Sequence, residues 1–193
     1  MSATPRVLAF AGSTRKESFN KRLVRIAAQG AKAASAEVTI IDLRDFAMPL
    51  YDGDLEAESG VPENGKRLKA LMVEHDGFLI SAPEYNSSIT AVLKNAIDWV
   101  SRPAPGEPPL VAFTGKAAVL MSASPGALGG LRGLVHLRAI LGNIGVIVHP
   151  NQIAVAKAAD AFNADGTLKD AKQQAGIEGL GKTLATLISK LKM

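Results

Sequence analysis

Between Gly12 and Asn20 the chain gathers donors suited to a single anionic group: the hydroxyls of Ser13, Thr14 and Ser18, the amide of Asn20 and the guanidinium of Arg15. Hydroxyls and amides donate with little bulk, and arginine's planar fork keeps its charge at any working pH. A phosphate dianion calls for that mixture. The apolar run Arg6–Ala11 before the loop reads as a buried parallel strand, and helical spacing begins after Ser18, the expected N-cap. A loop so placed aims the free N–H groups of the helix's first turn, and the positive end of its dipole, at whatever sits above. G-x-G-x-x-G is missing, so one terminal phosphate suits the loop better than a dinucleotide pyrophosphate. An ordinary polar helix start is the competing reading.

A second stretch, Gly176 to Thr183, matches G-x-x-x-x-G-K-[ST] letter for letter. Its context fails. A P-loop follows a buried strand, whereas Leu168–Gln174 is polar. Ile177, Leu180, Leu184, Leu187, Ile188 and Leu191 also keep one helical phase through the supposed loop. The segment is expected to be an amphipathic helix carrying costly glycines.

Little else along the chain offers independent chemistry. Cysteine is absent, which excludes disulfides and thiolate catalysis. His75, His136 and His149 lack ligand spacing, and no metal site is expected. No Ser-His-Asp set or paired carboxylates stand out. A formal charge of +4 raises the question of nucleic acid, but the bases are scattered without interleaved aromatics. They are densest at Arg15, Lys16, Lys21, Arg22 and Arg25, which suggests steering of small anions. Neither a membrane span nor a signal-peptide pattern is found, so a cytoplasmic location is expected.

The elements that must position the loop follow from periodicity. Strand-like runs fall at Arg6–Ala11, Val38–Asp42, Gly77–Ala82, Ala117–Ser122 and Val146–Val148. Helical patterns cover about Asn20–Ser35, Asn64–His75, Ser88–Ser101, Gly130–Leu141 and Asp170–Leu191, while Asn151–Lys169 is weakly patterned. Strands alternating with helices predict an α/β fold: a three-layer, doubly wound, five-stranded parallel sheet across residues 1–193 as one domain. In the flavodoxin-like strand order 2-1-3-4-5, the loops Gly12–Asn20, Ala82–Ser88 and Ser122–Gly130 share one edge, where such sheets bind ligands.

These residues carry a resemblance. Gly12-Ser13-x-Arg15-x-x-Ser18-x-Asn20, then Pro83-Glu84-Tyr85-Asn86, then Leu93-Lys94-Asn95-Ala96-Ile97-Asp98-Trp99 resemble the signatures of the NADPH-dependent FMN reductase family, which includes quinone, azo-dye and chromate reductases. Ser122–Gly130 with Arg132, His136-Leu137-Arg138, and Pro49-Leu50-Tyr51-Asp52 also match. Thr90 departs, standing where the family commonly has proline. That change is expected to alter helix-start rigidity only slightly.

The resemblance implies FMN as cofactor and NADPH or NADH as co-substrate. Ser13, Thr14, Arg15, Ser18, Phe19 and Asn20 would hold the phosphate end. Pro83, Glu84, Tyr85 and Asn86 would line the ring, with Ser122, Ser124 and Gly126 approaching from the other side. Tyr85 reads either as a ring-facing aromatic or as a subunit contact, and Glu84 as a solvated acid whose backbone matters more than its charge. Glycines 126, 129 and 130 read as close backbone approach or as a plain turn. Lys94, Asn95, Asp98 and Trp99 read as structural or interface residues, and Arg132 and Arg138 as anion attractors or inter-subunit pairs.

The implied activity is hydride transfer from NAD(P)H through flavin N5 to a quinone, azo compound or similar oxidant in a ping-pong cycle. Flavin brings that chemistry itself and needs the protein for position and electrostatics. A homodimer or homotetramer is expected. The alternative from another class is an electron carrier serving a protein partner. Such carriers are usually acidic and tryptophan-rich, whereas this chain is basic with one tryptophan, on a helix. A flavin-holding sensory module is a third reading.

Overall fold

The computed structural model describes residues 3–192. In chain order, β1 (Arg6–Ala11) leads to α1 (Phe19–Ala33), β2 (Glu37–Asp42), a 3-10 turn at Leu43–Phe46, α2 (Gly53–Ser59) and α3 (Glu63–Glu74). Next come β3 (Gly77–Ser81), a hairpin of β4 (Glu84–Tyr85) and β5 (Ser88–Ile89), and α4 (Ala91–Val100). The chain continues through β6 (Ala117–Ala123), α5 (Leu131–Asn143), β7 (Ile147–Val155), α6 (Ala158–Ala161) and α7 (Ala171–Leu191).

Five strands form one parallel sheet in the order β2-β1-β3-β6-β7, which is 2-1-3-4-5 among the main strands. The central strands read as unbroken apolar runs because helices cover both faces. Val7 and Ala9 of β1 face a core shared with α1 and α7, whereas Leu8 and Phe10 face one shared with α3, α4 and α5. Successive side chains point to opposite faces, so each central strand feeds two cores.

Helix α7 runs unbroken through the glycines of the false P-loop, as expected. Gly181 has a reason the pattern did not reveal: a Cβ there would lie 1.8 Å from the Ala27 carbonyl oxygen. Gly30 answers it on α1, where a Cβ would lie 1.9 Å from the Glu178 carbonyl oxygen. These two helices touch backbone to backbone.

Elsewhere the observed boundaries differ from expectation. β7 continues to Val155, through part of the weakly patterned segment. It is a half-exposed edge strand interrupted by Pro150, so no clean alternation marks it. Arg138 secures it, donating to the carbonyls of His149 (2.8 Å) and Val148 (3.2 Å) and to Gln152 Oε1 (3.0 Å). The helix expected from Ser88 begins at Ala91, because Ser88 and Ile89 pair with Tyr85 and Glu84. Asn86 and Ser87 turn that hairpin with φ of 50° and 67°, the left-handed pair that a tight β-turn needs. Among the described residues no helix is long and apolar enough to cross a membrane, and no cluster of metal-ligating side chains forms.

Candidate functional site

At the carboxyl edge of the sheet, the loops after β1, β3 and β6 meet around a small pocket of about 60 Å³. Ser13, Arg15, Ser18, Phe19, Asn20, Pro83, Glu84, Tyr85 and Ser124 line it, with Ala123 and Pro125. The remaining expected residues lie apart from it. Thr14 lines a different pocket, beside Arg44 and Phe46, its carbonyl accepting from Arg44 Nε at 3.0 Å, and Asn86 occupies the hairpin turn. Gly126 sits beyond Ser124, whose Oγ accepts its amide at 3.3 Å. Ser122 is fully buried, with no hydrogen-bond partner for its hydroxyl among the described residues. It lies beneath Gly130, where a Cβ would come within 2.0 Å of Ser122 Oγ. The glycines at 129 and 130 therefore serve close backbone approach at positive φ, 61° and 93°.

The pocket's floor is the start of α1. Ser18 occupies the N-cap position, makes no side-chain cap bond and lines the pocket. No acid sits in the first turn of α1 to compete for the helix's positive end. Two neighbouring cations are engaged: Lys21 pairs with Asp42 at 2.5 Å and Arg22 with Glu17 at 3.2 Å. Burial works against the Asp42 charge, but Lys21 and the Arg44 amide outweigh it and hold that carboxyl below its ordinary range. Exposed Arg15 is the cation that lines the pocket. Its amide is held by Ser13 Oγ at 3.3 Å, a side-chain turn that folds the loop back on itself.

Asn20 lines the pocket and also ties the fold together. Its Nδ2 donates to the Ala123 carbonyl at 2.8 Å, while Oδ1 accepts from the Ala123 amide (2.9 Å) and from Ser81 Oγ (2.8 Å). The buried amide thus ties the start of α1 to the ends of β3 and β6, fixing the spacing of the loops it joins. Ser81 carried no sequence signal for this, since it is one polar residue closing an apolar strand.

Glu84 is not a solvated acid. Its side chain is 8% exposed and takes Arg132 Nε at 2.8 Å, the Arg132 amide at 3.0 Å and the Gly133 amide at 3.2 Å. Burial opposes its charge, yet Arg132 and these amides keep the carboxyl below its ordinary range. One carboxylate thereby caps α5 and bolts the β4–β5 hairpin to it. Tyr85, next along, is 52% exposed at the pocket rim.

The signature Leu93–Trp99 acts at a distance. Trp99 Nε1 and Asn95 Nδ2 both donate to the Pro49 carbonyl, at 2.9 and 2.8 Å, and Asn95 Oδ1 accepts from the Tyr51 amide at 2.7 Å. Lys94 and Asp98 form an i, i+4 ion pair. The helix signature and Pro49–Tyr51 are therefore two halves of one clamp. A larger cavity of about 790 Å³, between α3 and the Pro103–Glu107 loop, shares no residue with the pocket. Its buried cation, Lys69, is already held by Glu107 and the Arg102 carbonyl.

Buried hydroxyls, an uncapped helix start and a guanidinium with no ion pair among the described residues fit the phosphate end of a flavin mononucleotide. A volume near 60 Å³ is too small for a whole cofactor, so the flat remainder would lie against the exposed rim. Comparison with known proteins gives the same answer. The chain is 36% identical over 196 residues to an NAD(P)H-dependent FMN reductase of Pseudomonas aeruginosa, covering 100% of both chains. It is 38% identical over 141 residues to a quinone reductase of Escherichia coli, covering 73% of this chain and 71% of that one. Among solved structures, the flavoenzyme NAD(P)H:(acceptor) oxidoreductase FerB of Paracoccus denitrificans superposes with a TM-score of 0.81 at 29% identity, over 98% of this chain and 100% of its own. Residues 5–160, which include every part of the pocket, match the family model described as NADPH-dependent FMN reductase, and the chain belongs to that family of oxidoreductases.

Proposed function

We propose that this chain uses NADPH or NADH to reduce quinones, azo compounds or similar small oxidants through bound FMN, in a ping-pong cycle. The observation that carries this reading is the division of the site into a tight anion cradle and an open rim. Arg15, Ser13, Ser18 and the first amides of α1 would hold the phosphate, while Pro83, Tyr85 and Ser124 would border the ring. Bound FMN would supply two-electron transfer at its ring.

The protein's own part is placement. Glu84, the one carboxylate lining the pocket, is neutralised by Arg132, so it orients the hairpin rather than moving protons. The Asn20 tie keeps the three loops at fixed spacing. An exposed rim lets nicotinamide and oxidant occupy the same face in turn, which a ping-pong cycle requires. The names of the Pseudomonas and Escherichia relatives support an NAD(P)H-linked quinone reductase.

The same rim supports assembly. Leu131 and Val135, one turn apart on α5, are 43% and 57% exposed beside the hairpin, and Leu128 is 51% exposed. Burying that row against another copy would remove apolar surface from water in a homodimer or homotetramer.

Anaerobic stopped-flow mixing of FMN-loaded protein with NADPH or NADH tests the cycle. Flavin absorbance is expected to bleach and then return on addition of a quinone, with parallel lines in double-reciprocal steady-state plots. Absence of bleaching with both nucleotides would overturn the proposal.

A further inference from the structure

Thr90 stands where the family commonly has proline, and it does more than start a helix. The residue is 2% exposed and its hydroxyl makes two bonds. Oγ1 accepts from the Leu93 amide at 3.3 Å, capping α4, and donates to the Gly12 carbonyl at 2.6 Å. Gly12 is the first residue of the phosphate loop. Its amide is already fixed on the Ser81 carbonyl at 2.9 Å, and its Cα packs so closely that an added Cβ would meet Leu93 Cδ2 at 2.9 Å.

The consequence follows from peptide planarity. A trans peptide carries its C=O and following N–H on opposite sides. Anchoring the Gly12 carbonyl on α4 therefore turns the Ser13 amide away from α4. Ser13 is 3% exposed and lines the cradle. Thr90 also directly follows β5, the second strand of the hairpin that carries Tyr85. One buried hydroxyl thus joins the loop meant for the phosphate to the hairpin meant for the ring.

We propose that Thr90 is a positioning residue: through the Gly12 carbonyl it sets the Ser13 peptide and so tunes how strongly the cradle holds the phosphate end of the flavin. The inference rests on the FMN reading above. Thr90 does not line the pocket and would act through the loop.

The backbone offers a clean test. Thr90 has φ −71° and ψ 150°, which proline adopts without strain. Thr90→Pro therefore keeps the backbone conformation of the helix start while losing both hydroxyl bonds, Thr90→Val loses both with the shape nearly kept, and Thr90→Ser keeps them. Cofactor-free protein is titrated with FMN and with riboflavin by quenching of flavin fluorescence, and the ratio of the two dissociation constants measures the phosphate's share. Loss of one neutral hydrogen bond is worth about fivefold in affinity. Thr90→Pro and Thr90→Val are expected to lower the FMN preference by about that factor with riboflavin affinity unchanged, and Thr90→Ser to restore it. A merely structural role would weaken both flavins together. An unchanged preference in Thr90→Pro, or parallel loss of both ligands in every variant, overturns the role of Thr90 while leaving the FMN reading standing. A wild-type protein that binds the two flavins equally, or neither, overturns that reading and the inference with it.

Discussion

Arg15 and Glu84 divide the charged work of the pocket, one toward a ligand and one toward the fold. Arg15 is the cation lining the pocket, and a charge-assisted bond from it to a phosphate would be worth about 1.5–3 kcal/mol. Arg15→Gln is therefore expected to weaken FMN binding roughly tenfold to a hundredfold while leaving the melting temperature and riboflavin affinity near wild type, as measured by titration and thermal unfolding. Glu84 acts the other way. Its folded carboxyl lies below its unfolded value, so its stabilisation is complete above about pH 4.3 and is lost as pH falls through the lower folded value. Glu84→Gln is expected to lower the melting temperature at neutral pH and to close the gap with wild type on acidification. A gap that persists unchanged at pH 3 would contradict the ionic role.

At the scale of elements, the strongly apolar strands and the long amphipathic helices were legible from periodicity alone, because β1, β3 and β6 are buried on both faces. The second half of β7 was not: an edge strand with Pro150 and a register irregularity against β6 leaves no two-residue rhythm. The hairpin at Glu84–Ile89 was hidden by its two-residue strands. In the site, residue types pointed to the loop after β1, and the structure gathers Ser13, Arg15, Ser18 and Asn20 of that loop around one pocket. What spacing could not show was which polar groups are spent on the fold. Asn20 and Glu84 look like ligand contacts in one dimension, and only their partners on distant strands and helices reveal their engagement. The two glycines of α7 illustrate the same limit. A Cβ added at Gly179 would meet no atom within 4 Å, so Gly179→Ala is expected to stabilise by about 0.5–1 kcal/mol through helix propensity. Gly181→Ala drives a methyl into the Ala27 carbonyl, and an overpacking loss of about 1–3 kcal/mol is expected. Chemical denaturation of the pair measures both signs, and equal effects would contradict the backbone contact between α1 and α7.

Across the whole molecule, the site is a rim rather than an enclosed chamber. Its pocket is small, and the surface next to it carries Tyr85, Leu131 and Val135 in the open. Placing a charge in that row, as in Val135→Glu, is expected to shift light-scattering mass from an assembled state toward the 20.1 kDa single chain without lowering FMN affinity per chain at the phosphate end. An unchanged mass would remove α5 from the contact. The basic balance of the chain, +4, adds a longer-ranged effect. The rate of nucleotide capture is expected to fall as salt rises over the range where screening shortens to about 8 Å.

The central claim is that this chain seats a flavin by its single phosphate. It is tested most directly by the visible spectrum of freshly purified protein, with the released chromophore identified by mass. The expected result is a yellow protein that gives up FMN, close to one per chain, and that recovers its colour when FMN is returned after stripping. A colourless protein that takes up no FMN, or one that holds a flavin lacking the phosphate equally well, would contradict it.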